Sequence, residues 1–362
     1  MGSERQELSL RIPPGVPLTR PSRQVPTVSI PTTVHRPVRA RLQAVLRPAF
    51  AVLGLGVLVL LIRDVGAKEL EEVLSRAAPW LPLVLLLEAA RLSLDALATW
   101  VAYGSRAREV PFRAMLRAQL ISTTVASLAP AGRTAGEAMK AALLSRYTGG
   151  ATATAAAATS QAASLVSGGL SSIPCALAAY VLTGASWLTL ALGVHTVVLV
   201  LVGTGMRAGM RARRLGAWLK CRCHRLAPHT ETFQESARRD RLLPARPIVA
   251  TFLGRAIQVV QYGTLAVAVG IDTRAVQALV AQGLNMVALA VGSLVPGQFG
   301  VSDGAFALSA KIFGTTTAKA MSIALLAHAM QVLFVLVGSL TPLVWKVPDP
   351  APQPQRSSGV DD

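Results

Sequence analysis

LAPAGRTAGEAMKAALL, residues 128–144, and LVPGQFGVSDGAFALSA, residues 294–310, read as two copies of one device. Each sets a Leu-x-Pro seven residues ahead of a carboxylate, Pro130 to Glu137 and Pro296 to Asp303, inside an otherwise apolar stretch. Proline lacks the N–H a helix interior needs and the nearby glycines permit tight reversals, so both segments are expected to break a helix. Paired breaks at corresponding places in two halves of an apolar chain point to a transport site inside a membrane.

Working outward, hydrophobic residues make up 52% of the chain and charged ones only 15%, which with several long apolar runs indicates a polytopic membrane protein rather than a soluble domain. The net charge of +18 gathers in segments 1–47 and 207–247, as expected of cytoplasmic flanks that touch anionic lipid head groups. No nucleic-acid-binding signature accompanies it, so no nucleic-acid partner is expected. No signal peptide precedes the first apolar run near Phe50, and the basic, Pro-rich tail 1–47 reads as disordered and cytoplasmic. Cys175 lies in an apolar span. Cys221, Cys223, His224 and His229 match no standard zinc spacing, so an incidental reduced pair and a metal site both stay open, and no cofactor is implied.

Spans are expected over 48–63 and 79–103, joined by an outside loop with no cationic excess. Arg106, Arg108, Arg113 and Arg117 then mark a return to the inside. The piece 114–128 is short for a crossing and stops at Pro130, and an Ala-rich helix from about 135 to Arg146 follows; with both flanks basic, 113–147 reads as a re-entrant hairpin from the cytoplasm. Segments 151–182 and 187–206 go out and back to the basic loop 207–247, and 248–270 exits again. Pieces 276–294 and 301–313 form a second hairpin from outside, and 319–345 returns the C-terminal tail 346–362 to the cytoplasm, where it is expected to be disordered. The fold class is thus all-α: about six full spans plus two re-entrant helical hairpins in an inverted repeat, within a membrane domain over 48–345.

Non-helical backbone at membrane depth must be buried in protein or line a wet cavity, so both turns should face the interior. In the first, Thr134 and Glu137 have capping-box spacing. A half-helix N-terminus also offers a positive dipole end to a phosphate or carboxylate, with Gly132 and Gly136 nearby and Arg133 adding a charge-assisted hydrogen bond. Lys140, three residues after Glu137, either pairs with it or extends the cationic site. The second turn offers Ser302 or Asp303 as N-cap, Gly297 and Gly300 for close backbone approach, and no arginine. Glu88, Arg91 and Asp95 share one face of the second span, either as a mutual clamp or as part of a polar path. Arg255, Gln258 and Tyr262 line up similarly, Arg255 being a further candidate for a lipid phosphate. His328 and Gln331 suggest polar contacts between helices. A phosphate loop, a Gly-x-Ser-x-Gly elbow and a His-Glu-x-x-His pattern are all missing, so neither unaided ATP hydrolysis nor these hydrolase chemistries are indicated.

LAPAGRTAGEAMK resembles the Pro…Gly-Glu-x-x-Arg segment, and LVPGQFGVSDGAF the Pro-Gly-Gly-x-Gly-x-x-Glu segment, of the flippase-like transmembrane region of lysylphosphatidylglycerol synthetases and their stand-alone relatives. The matching positions are Pro130, Gly136 and Glu137, then Pro296, Gly297 and Gly300. Lys140 stands where an arginine is usual, Gln298 replaces a glycine, Asp303 replaces a glutamate, and Ser160-Gln161 occupies the region of an expected Glu-Arg pair. The resemblance implies a cytoplasmic-membrane carrier, with no chemistry of its own, moving a phospholipid or a related anionic or zwitterionic lipid between leaflets. With no room for an aminoacyl-transfer domain after the last span, the chain is not expected to make lysyl-lipid itself. The alternatives are a membrane-embedded enzyme or accessory subunit of polyprenyl or glycolipid synthesis, with Glu137 or Asp303 as its carboxylate, and a non-catalytic anchor for a lipid-synthesis enzyme.

Overall fold

The computed structural model describes residues 63, 67–129, 132–222, 227–239, 241–292 and 300–347. The tail 1–47, all of the expected first span but its last residue, Pro130, Ala131, Cys223, His224, the turn with Pro296, Gly297 and Gln298, and the tail beyond 347 lie outside those residues.

Among the described residues the structure is helical, without strands. Helix α1 spans Ala67–Ala77, α2 Leu81–Val101, α3 Phe112–Leu128, α4 Gly132–Thr148, α5 Gly150–Thr183 and α6 Trp187–Arg211. Then follow α7 Arg213–Arg222, α8 Ala227–Arg238, α9 Ala245–Ala268, α10 Ala275–Val291, α11 Val301–Leu308 and α12 Thr317–Val344. Helices α5, α6 and α12 are each long and apolar enough to cross a membrane. Helices α2 and α9, with 21 and 24 residues, are of spanning length but carry charge mid-helix. Local chemistry sets the ends. Gly184 at φ 68° closes α5, the Ser186 hydroxyl accepts from the Thr189 N–H to open α6, and the Thr316 hydroxyl accepts from Lys319 N–H to open α12.

Small residues let the long helices close on one another. A Cβ on Gly203 would stand 2.9 Å from the Ala162 carbonyl oxygen, and one on Gly338 2.4 Å from that of Leu120, so α6 meets α5, and α12 meets α3, backbone to backbone. The apolar core forms two clusters. One holds Val84, Cys175, Leu192, Leu265, Leu284, Phe306 and Ile323, and the other Ala96, Met115, Leu144, Tyr147 and Ala156. Between them along α5 runs a buried series of hydroxyls, Thr159, Ser160, Ser164, Ser167, Ser171 and Ser172. The long helix is therefore apolar toward its ends and polar at mid-length.

Helices α3 and α4 form an antiparallel pair whose turn reaches that middle. Arg117 Nε donates to the Trp345 carbonyl at 2.7 Å, Thr124 Oγ1 to the Val335 carbonyl at 3.1 Å, and Gln331 Nε2 to Ser127 Oγ at 3.4 Å. Helix α3 thus starts beside the C-terminus of α12 and stops halfway along it. Its partner α4 begins where Arg133 Nη2 donates to Ser164 at 2.7 Å, mid-length on α5, and ends next to the start of α5. Helix α10 runs the other way. Gly283 packs on Cys175, and Met286 Sδ accepts from Ser171 and Ser172 at 3.9 Å, so α10 starts near the C-terminal end of α5 and advances toward its middle. Asp303, in the first turn of α11, meets His328 halfway along α12. Both helix pairs thus contribute residues to the polar middle of α5 and α12.

Two expectations change. The second arm of the second pair, expected to reach residue 313, stops at Leu308. Residues 309–314 tighten into turns with bonds from Ile312 N–H to Ser309 O, Phe313 N–H to Ala310 O and Gly314 N–H to Lys311 O, and Gly314 takes φ 60°. The basic segment 207–247 is not a plain loop, since it holds α7 and α8, tied to α6 where Arg238 Nε donates to the Arg211 carbonyl at 2.9 Å.

Candidate functional site

The polar level is built first by α2. Glu88, Arg91 and Asp95 fall three and four residues apart and so on one face. Arg91 donates to Glu88 through Nε at 2.9 Å and through Nη2, and to Asp95 through Nη1 at 2.9 Å. One guanidinium thus holds two carboxylates, all three side chains half-buried, and the group carries a net negative charge. Helix α9 packs antiparallel to α2, close enough that a Cβ on Gly254 would lie 3.8 Å from Asp95 Oδ1. It brings Arg255, whose Nη1 donates to Gln258 Oε1 at 3.0 Å, and that oxygen also accepts from buried Gln282 of α10 at 3.1 Å.

Arg255 stands in electrostatic reach of Asp95, Arg91 and Arg133, and His195 of α6 stands in reach of Arg255. Arg133 offers itself at the start of α4 with a hydroxyl, Ser164, as its hydrogen-bond partner. Neither Arg133 nor Arg255 has a carboxylate within ion-pair distance among the described residues. Among the described residues Arg91 is paired with Glu88 and Asp95, while Arg133 and Arg255 bond only neutral side chains, so two guanidinium groups stand there without a carboxylate of their own. In a low-dielectric setting such a charge calls for an anion.

The structure therefore gathers Glu88, Arg91, Asp95, Arg133 and Arg255, but leaves other expected site residues elsewhere. Helix α4 starts at Gly132, φ 39°, whose N–H is bonded to the Ala129 carbonyl at 3.1 Å, so Thr134 sits inside the first turn and the expected Thr134–Glu137 capping box does not form. Glu137 Oε1 instead accepts from Lys140 Nζ at 2.9 Å. Lys140 is 1% exposed and also donates to Thr99, which bonds Ser160, so it joins α4 to α2 and α5. Gly136 faces α3, where a Cβ would meet the Ser122 carbonyl oxygen at 2.7 Å. It lets α4 close on α3.

In the second turn the N-cap is Gly300 at φ 80°, not Ser302 or Asp303. Only glycine takes that conformation without strain. Asp303, fully buried, lies three residues on and its Oδ2 accepts the Gly300 N–H at 2.8 Å and meets His328 Nε2 at 3.3 Å. The expectation that His328 and Gln331 serve as interhelical contacts holds, and these two positions of α12 touch both helix pairs. Tyr262 stacks on Phe306 with ring centroids 5.9 Å apart. Among the described residues no cluster of His, Cys, Asp and Glu is arranged to hold a metal.

His195, Ser164 and Gln282 were not singled out by sequence. His195 Nδ1 lies 2.8 Å from Ser172 Oγ, and Gln282 is fully buried in an apolar helix three residues before buried Asn285. Gln282 and Asn285, an amide pair on one face of an apolar run, were a readable signal; a lone histidine in α6 was not.

Residues 45–338 match the family described as Lysylphosphatidylglycerol synthase TM region. No curated protein matches the chain, and neither does any solved structure.

Proposed function

The chain belongs to the family of lysylphosphatidylglycerol synthase TM regions and is a membrane protein, and we propose that it is a carrier that moves a phospholipid or a related anionic or zwitterionic lipid between leaflets. The observation that supports this reading is that Arg133 and Arg255 have no carboxylate at ion-pair distance among the described residues, Arg133 bonding Ser164 at mid-length of α5. A lipid phosphate docks there, hydrogen-bonded by both guanidinium groups, while Glu88, Arg91 and Asp95 brace the path and face any cationic part of the head group.

The pairs α3–α4 and α10–α11 are read as re-entrant hairpins, because each starts at one end of the bundle and turns at mid-length of α5 and α12. Exchanging α2, α3–α4 and α5 for α9, α10–α11 and α12 exchanges the packing of α3 on α12 for that of α10 on α5, the pattern of an inverted repeat. With the fold counted as about six spans plus these hairpins, tilting one hairpin and then the other opens the arginines to each side in turn. The end bearing Arg106, Arg113, Arg117, Arg146 and Arg211 is taken as cytoplasmic, in the inner membrane, with both termini on that side, in contact with anionic lipids and open to a lipid-synthesis enzyme as partner. No chemical step is assigned to the chain.

The test is reconstitution in vesicles with fluorescent phosphatidylglycerol, reading how much probe an impermeant quencher reaches over time. The carrier accelerates exchange between leaflets, and Arg133→Gln and Arg255→Gln each slow it. Unchanged exchange rates in the purified wild type, or conversion of the added lipid to a new species, overturn the reading.

A further inference from the structure

Away from that level, where α5 begins, the 3-10 turn Gly104–Glu109, the first turns of α5 and the end of α8 line a cavity of about 340 Å³ that opens to the surface beside exposed Ser105 and Arg239. Its polar lining is Tyr103, Ser105, Arg106, Thr152, Ser236 and Arg239, and no carboxylate is among the lining residues. Arg106 reaches Glu109 through Nε and Nη2 at 2.9 and 2.8 Å and Thr152 through Nη1 at 2.8 Å, which leaves an N–H free on each Nη. Hydrogen bonding to Glu109 holds Arg106 above its already high ordinary pKa, so it stays charged. Arg239 uses Nη2 on Glu235 at 3.1 Å, its other N–H groups being uncommitted among the described residues. The Tyr103 side chain is buried beside Thr148, and burial pushes its pKa up, so it stays neutral. Thr152 accepts from Arg106, and its hydroxyl lies 3.5 Å from that of Ser236. The two guanidinium groups are each paired to one carboxylate outside the lining but keep uncommitted N–H groups, and the hydroxyls of Ser105 and Ser236 stand beside them. With no acidic side chain in the lining, these donors suit an oxyanion such as phosphate.

We propose that this cavity is a second binding site, for a phosphate group, separate from the Arg133–Arg255 level. The phosphate belongs either to a soluble ester or to the head group of an anionic lipid lying at the arginine-rich end. Occupancy ties α8 to the foot of the first helix pair, because Arg106 belongs to the turn that leads into α3.

The full chain is purified in neutral detergent carrying Arg133→Gln, with Arg255→Gln as a second background, so that the central site is silenced. Its thermal unfolding is then followed against inorganic phosphate and, separately, short-chain phosphatidylglycerol. A saturable rise in Tm is expected. Adding Arg239→Gln weakens the apparent affinity by about tenfold, the loss expected of one hydrogen bond between charged groups, and Ser236→Ala weakens it less. A rise with inorganic phosphate assigns the site to a soluble ester, and a rise with the lipid alone assigns it to a head group. No saturable rise with either probe, or an equal rise after Arg239→Gln, overturns the proposal. Lipid movement is not the readout, so the outcome is independent of the carrier reading.

Discussion

At the level of single residues, the arginines and the buried lysine make opposite demands. Arg133 and Arg255 lack carboxylate partners at ion-pair distance among the described residues, so on the proposed carrier reading replacing either by glutamine costs the fold little and the bound lipid much. Each loses a hydrogen bond to a charged group, about 1.5–3 kcal/mol, and lipid exchange in vesicles is expected to fall by about tenfold or more while the unfolding midpoint holds. Arg133→Lys keeps the charge but not the fork and recovers only part of the rate. Lys140 shows the reverse behaviour. With its counter-ion Glu137 removed, a buried ammonium group keeps only the Thr99 hydroxyl, and Glu137→Leu is expected to destabilise by about 3 kcal/mol or more. The double variant Glu137→Leu with Lys140→Met returns most of that loss, because neither charge remains to be solvated. Chemical unfolding in mild detergent measures all three proteins; if the double variant is as unstable as the single, the pair is not what ties α4 to α2.

Between whole elements, the decisive contacts are made by residues with almost no side chain. A Cβ at Gly136 would sit 2.7 Å from the Ser122 carbonyl oxygen, and one at Gly338 would crowd the Leu120 carbonyl and Thr124. Gly136→Ala must therefore spread α3 from α4, and Gly338→Ala must push α12 off the first helix pair. Both variants are expected to lower the unfolding midpoint and slow exchange, whereas Gly304→Ala, where an added Cβ meets open space, leaves both unchanged. The sequence carried the helix breaks plainly, since Pro and Gly act on the backbone where they stand, and the spans on either side follow from apolar length. It did not carry which way each small residue faces. Gly136 has the surroundings of a ligand turn, and only the antiparallel packing of α3 assigns it to a helix contact. The Thr134–Glu137 spacing fits a capping box as well as any, but Gly132 at positive φ starts the helix two residues earlier and takes that role away. Lys140 and Thr99 lie 41 positions apart and His195 and Ser172 lie 23 apart, so no local pattern could have joined them.

For the molecule as a whole, the same geometry makes one demand on any transport cycle. Gln331 of α12 touches Ser127 near the end of α3 and His328, one turn earlier, touches Asp303 in the first turn of α11, so α12 contacts both helix pairs at mid-length. If the tips open in turn, joining one of them to α12 must stop exchange even though the arginines are intact. In a chain with Cys175, Cys221 and Cys223 replaced, cysteines at Ser127 and Gln331 bridged by a short bifunctional thiol reagent are expected to abolish lipid exchange. Reduction of a cleavable bridge is expected to restore it. The orientation behind this cycle is read in the same background from single cysteines at Arg146, at the end of α4, and Lys311, just after α11. On the proposed orientation, an impermeant reagent reaches the first only from the arginine-rich side and the second only from the other. Labelling of both from one side would place the two helix pairs on the same face of the membrane. One rocking element could not then present Arg133 and Arg255 alternately, and undiminished exchange in the bridged protein would exclude alternation at the first tip by a separate route.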